Sequence, residues 1–105
     1  MGYSVVFIQE FEADYDAILG YLSVQSGSPQ AAIALMDSFD AAVELLADNP
    51  FINAVSLKPQ LAAHECRTHH VGSYVIVYTV RDEMVVFVGM FHQRQLFEGI
   101  VARRG

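Results

Sequence analysis

His64–Gln95, HECRTHHVGSYVIVYTVRDEMVVFVGMFHQRQ, decides the fold. Tyr74–Val80 (YVIVYTV) and Met84–Phe91 (MVVFVGMF) are runs of β-branched and aromatic residues, the composition of buried strands. Arg81-Asp82-Glu83 between them is short enough for a hairpin turn. Glu65–Val71 is a weaker strand, joined to the next through Val71-Gly72-Ser73. Three consecutive strands with tight connections make an antiparallel meander.

Upstream, Tyr3–Ile8 (YSVVFI) reads as a further short strand. The period then changes. Phe11, Tyr15, Ile18, Leu19 and Leu22 form one helical stripe, with Glu10, Glu12 and Asp14 in the first turns, where they complement the helix dipole. The helix should stop near Gln25, before Ser26-Gly27-Ser28-Pro29. Ser28-Pro29 is a helix start, with serine as N-cap and proline in the first helical position. Ala32, Met36, Phe39, Val43 and Leu46, widened by Leu35 and Ala42, give the second helix its apolar face up to Asp48-Asn49-Pro50. Phe51–Ala63 reads as a loop with Pro59 in its middle, and Gln95–Val101 as a short terminal helix. The expected architecture is α+β, in the order β-α-α-β-β-β. An antiparallel sheet carries a two-helix hairpin on one face, and the other face is left to polar groups. Residues 1–105 form one domain.

A 53% hydrophobic and 17% charged composition excludes a disordered chain. The apolar runs are too short to span a bilayer, and MGYSVVFIQEFE lacks the basic start of a secretory signal, so no membrane role is expected. The lone Cys66 fits a reducing, cytoplasmic setting. The net charge of −6 is divided unevenly. Glu10–Asp48 holds eight acidic residues and no basic one; from Asn49 onward six basic residues meet four acidic ones. Such a balance argues against general nucleic-acid affinity, which needs clustered Lys and Arg.

His64, His69, His70 and His92 invite a metal reading, but no pair has ligand spacing, and adjacent His69 and His70 point to opposite faces of a strand. No metal and no cofactor are expected. Cys66 reads as a core residue. Tyr74 and Tyr78 could stack on bases or pack; packing suits Tyr78, and Tyr74 stays open as a contact residue with Lys58 and Gln95. The most polar run, Phe91-His92-Gln93-Arg94-Gln95, ends the most apolar strand. A histidine there could move a proton, and Arg94 with Arg67 could hold a phosphate, the parts of metal-free RNA cleavage. The same residues could equally form a solvated strand end.

In order along the chain stand Tyr21-Leu22 in the first helix, Leu46 and Asn49-Pro50 closing the second, and Arg67 opening a strand. Tyr74 to Tyr78, Asp82 in a turn, and His92-x-Arg94 follow. This pattern resembles the RelE/ParE superfamily of toxins from type II toxin–antitoxin (plasmid stabilisation) systems and spans nearly the whole chain. The resemblance implies a small cytoplasmic, growth-inhibiting toxin neutralised by a cognate antitoxin wrapped along an apolar groove, as a toxin–antitoxin hetero-oligomer or a homodimer. RelE-like members cut mRNA on the ribosome; ParE-like members inhibit DNA gyrase and are not enzymes. On the ribonuclease reading His92 is the acid/base and Arg67 and Arg94 hold the phosphate. Val75 stands where RelE-like chains carry arginine, and Lys58 is the only lysine. These departures lean toward the ParE-like branch. The ribonuclease remains the alternative, and a chain that only binds its antitoxin is a third reading.

Overall fold

A computed structural model describes residues 2–104. Strand β1 (Ser4–Phe7) leads directly into α1 (Gln9–Gly20), whose last turn widens into a π-helical turn at Tyr21–Gln25. Helix α2 (Pro29–Asp48) starts as its sequence dictates: Ser28 Oγ accepts from the Ala31 N–H at 3.3 Å, and Pro29 fills the first position. A 3₁₀ turn (Pro50–Ile52) and a one-turn helix α3 (Pro59–Ala62) occupy the segment expected as a loop. The meander follows as β2 (Arg67–Val71), β3 (Tyr74–Arg81) and β4 (Met84–His92), and α4 (Glu98–Arg104) ends the fold. Gly72 and Asp82, at φ +59° and +55°, open the two hairpin turns.

The α+β architecture is as expected, with three refinements. The four strands lie in the order β1-β4-β3-β2, and only the meander is antiparallel. β1 pairs in parallel with β4, Ser4 beside Met84 through Phe7 beside Phe87, so the sheet is mixed. That order makes β3 and β4 the central strands, which is why their sequences are almost continuously apolar. Second, the α2 core stripe is Ala32, Leu35, Phe39, Ala42 and Leu46. Leu35 takes the inward position that the period offered to Met36, which is 45% exposed.

Third, both faces of the sheet are covered. Helices α1 and α2 bury Phe11, Leu35, Phe39 and Leu46 against Ile76, Tyr78, Val85, Phe87 and Met90. On the opposite face Val75, Val77, Val88 and Phe91 are equally apolar and cannot be left in water. Leu61 of α3, Cys66, Phe97 and Val101 of α4 cover them. Phe97 stacks on Phe91 at 4.9 Å with an interplanar angle of 3°.

A β-bulge in β4 makes this double packing work. Val77 pairs with Gly89 but Tyr78 pairs with Phe87, leaving Val88 as the extra residue. The bulge resets the alternation, so Phe87 and Met90 face α1 and α2 while Val88 and Phe91 face α4. Gly89 is required there: a Cβ would lie 2.5 Å from the Phe91 ring and 2.9 Å from Arg104 Nη1.

Candidate functional site

Among the described residues β4 has no strand on its outer side beyond Phe87, because β1 ends and the chain turns into α1. Gln93 N–H donates to the Ser73 carbonyl at 2.9 Å, so the alternating antiparallel pattern turns the main-chain groups of Met90 and His92 outward. Asp14 and Arg104 satisfy part of this free edge. The Met90 N–H donates to Asp14 Oδ2 at 3.1 Å, and Arg104 Nη1 donates to the Val88 carbonyl at 3.0 Å. The two side chains also join each other, closing α1 and α4 around the bulge.

Between α1, the end of β4 and α4 this leaves a groove of about 460 Å³. Ala17, Ile18, Tyr21, Met90 and Ile100 give it an apolar floor, and Tyr74, His92 and Gln95 line its far wall. Tyr21 is 55% exposed. The Tyr74 and His92 rings meet edge to face at 5.5 Å. The groove has the shape and lining of a site for a peptide segment: apolar side-chain pockets beside an open strand edge.

The residues proposed from sequence for phosphate chemistry do not converge. Arg67 pairs with Tyr78 and His92 with Tyr74, so they stand roughly 13 Å apart along the sheet and two strands, roughly 10 Å, across it. The Arg67 guanidinium donates to the Asn53 carbonyl and lies over the Phe51 ring at 4.9 Å. His92 Nδ1 accepts the Arg94 N–H at 3.1 Å, which leaves the proton of the neutral ring on Nε2 and makes that nitrogen a donor, not a base. Arg94 itself is exposed. Tyr74 and Gln95 share the groove, whereas Lys58 lies elsewhere, at a smaller pocket of about 170 Å³ with Ser56, Thr68, His70, Gln93 and Phe97. Lys58 is engaged there: it pairs with Glu98 and sits 5.6 Å from the Phe97 ring centre. Its hydrogen bond holds the Glu98 carboxyl below the usual carboxylate range.

Tyr78 and His69 belong to a structural network within the sheet. Tyr78 Oη donates to the Pro50 carbonyl at 2.7 Å, and the Asn53 amide donates to Tyr78 Oη at 3.2 Å and His69 Nδ1 at 3.0 Å. Burial, and then neighbouring His70, lower the His69 pKa. Burial pushes the Cys66 thiol up, which suits a packed residue and not a nucleophile. Among the described residues no group of three or more His, Cys, Asp or Glu could hold a metal ion. Sequence reading missed Asp14 and Arg104, since their partnership spans 90 positions and no local period carries it.

A family model for the ParE toxin of the type II toxin–antitoxin system parDE matches residues 5–97. The chain therefore belongs to the ParE toxin family, and is the toxin component of a type II toxin–antitoxin system. A solved structure, the chromosomal ParDE TA system from P. aeruginosa, is similar in fold with a TM-score of 0.64 and 18% sequence identity. The match covers 86% of this chain and 95% of that one. Comparison with curated proteins gave no match.

Proposed function

We propose that this toxin inhibits DNA gyrase by binding it, and that its cognate antitoxin neutralises it by laying a segment along the groove between α1 and the end of β4. Membership of the ParE family supports the gyrase target. The separation of Arg67 from His92 and Arg94 supports a binding role over a cutting one. RNA cleavage needs a base and cations gathered within a few ångströms of one phosphate. Here Arg67 is held at Asn53 and Phe51, Arg94 is exposed, and His92 Nδ1 is taken by the Arg94 N–H. Tyr74 and Gln95 are the contact residues this reading keeps. Action on gyrase places the protein in the cytoplasm.

The test is a supercoiling assay with purified gyrase. Addition of the protein should block supercoiling, and the protein encoded by the adjoining reading frame should restore it. Undiminished supercoiling at a large molar excess of toxin would remove gyrase as the target.

A further inference from the structure

A second concavity lies on the opposite side of α1 from the groove. It measures about 210 Å³ and is lined by Phe7, Phe11, Tyr15 and Phe39, with Glu12 and Asp16 at its rim. Small-molecule sites typically hold roughly 300–1,000 Å³, so this one is sized for a single side chain. Its four rings form a closed circuit. Phe7–Phe11 centroids are 5.5 Å apart, Phe11–Tyr15 6.4 Å, Tyr15–Phe39 4.3 Å and Phe39–Phe7 6.1 Å. Phe7 is 37% exposed, so part of its ring meets solvent at the mouth of the cavity.

The charge around these rings is unbalanced. Glu12 and Asp16 sit one helical turn apart on α1, and Asp40 acts on the same place from α2. Among the described residues none of the three has an ion-pair partner; the ion pairs are Lys58–Glu98, Arg81–Glu65 and Arg104–Asp14. Burial, and then Asp40 and Asp16, raise the Tyr15 pKa, as negative potential at its hydroxyl requires. Elsewhere the chain completes its aromatic surfaces with cations: Arg67 over Phe51, Arg104 over Phe91 and Lys58 by Phe97. No such cation reaches the Phe7 cluster among the described residues, and none can come from Glu10–Asp48, which holds no basic residue.

We infer that the cavity formed by Phe7, Phe11, Tyr15 and Phe39 is a binding site for an arginine side chain presented by a protein partner. Ring faces attract a guanidinium, which is weakly hydrated and stacks readily, and Glu12, Asp16 and Asp40 supply the counter-charge. The site stands on the cavity and its rim, and holds whichever target the toxin has.

The test is an NMR titration of the full-length protein with the peptide acetyl-Ala-Ala-Arg-Ala-Ala-amide. Its counterpart carries citrulline, which keeps the shape and loses the charge. The arginine peptide should move the aromatic resonances of Phe7, Tyr15 and Phe39, and the citrulline peptide should bind at least threefold more weakly. The surface variant Glu12→Gln/Asp16→Asn should lower arginine-peptide affinity by roughly three- to tenfold with its spectrum otherwise intact. Equal binding of the two peptides, an unchanged affinity in the double variant, or shifts confined to other residues would overturn the proposal.

Discussion

The carboxylate of Asp14 receives Arg104 through both guanidinium amino groups, at 2.6 and 3.0 Å. Both side chains are largely covered, at 17% and 15% exposure, and both also bond the bulged main chain of β4. Removing either partner strands the other, together with a β4 amide or carbonyl. Asp14→Asn or Arg104→Met should cost roughly 2–3 kcal/mol, below the fully buried range because some solvent reaches the pair. Urea unfolding of the two single variants and the double should show strong non-additivity. Additive losses would mean that the two residues act separately.

Gly89→Ala places a methyl group against the Phe91 ring and the Arg104 guanidinium. The ring is stacked on Phe97 and the guanidinium is held by Asp14, so neither moves freely. A loss of about 1–3 kcal/mol is expected in thermal unfolding. Gly20→Ala, where a Cβ meets nothing within 4 Å in a helix, should stabilise slightly and serves as the control.

Tyr78→Phe removes the hydroxyl that donates to the Pro50 carbonyl and accepts from Asn53. The ring stays packed, so the cost is that of buried polar groups left without partners, roughly 1–3 kcal/mol. Chemical denaturation measures it, and the same change in Tyr74, whose ring lines an open groove, should cost under about 0.5 kcal/mol.

The lowered pKa of His69 fixes the sign of a pH dependence. Above its unfolded value of about 6.5 the ring is neutral in both states, and its contribution is fully present. Below that the unfolded chain binds the proton first, so stability falls as pH drops through 6.5 toward the folded value. After burial, His70 beside it on the strand acts on the ring, and Asn53 donates to its Nδ1. Unfolding curves between pH 7.5 and 5.5 should therefore be steeper in pH for the native protein than for His69→Gln.

Much of the architecture is legible in the sequence because short-range rules set it. Ser28-Pro29 starts α2, Gly72 turns the β2–β3 hairpin, and the apolar runs at Tyr74 and Met84 make the central strands. Parallel pairing of β1 with β4 depends on contacts some eighty positions apart, which no local pattern encodes. The bulge at Val88 hides in a continuous apolar run, where a one-residue shift leaves the composition unchanged. The second core was implicit in Val75, Val77 and Phe91, since a two-layer reading leaves them exposed. For the site, the strand end at Tyr74, His92 and Gln95 was visible as polar residues after an apolar strand, and it does line the groove. Its floor on α1, Ala17, Ile18 and Tyr21, looked like ordinary helix surface and core.

The groove leads to a prediction about the antitoxin. Ile18→Asp places a charge on its apolar floor and should weaken capture of the protein from the adjoining reading frame at least tenfold in a titration calorimeter. Leu57→Asp, at an exposed residue outside the groove, should leave capture unchanged.

Binding and RNA cutting, as modes of action of this toxin, are separated by comparing the native protein with His92→Ala and Arg94→Ala in two parallel reactions. One is gyrase supercoiling and the other is cleavage of mRNA on purified ribosomes. A toxin that acts by binding should inhibit supercoiling within about twofold of native in both variants and leave mRNA intact with all three proteins. Ribosome-dependent mRNA cleavage by the native protein that disappears in His92→Ala and Arg94→Ala would instead make it a ribonuclease.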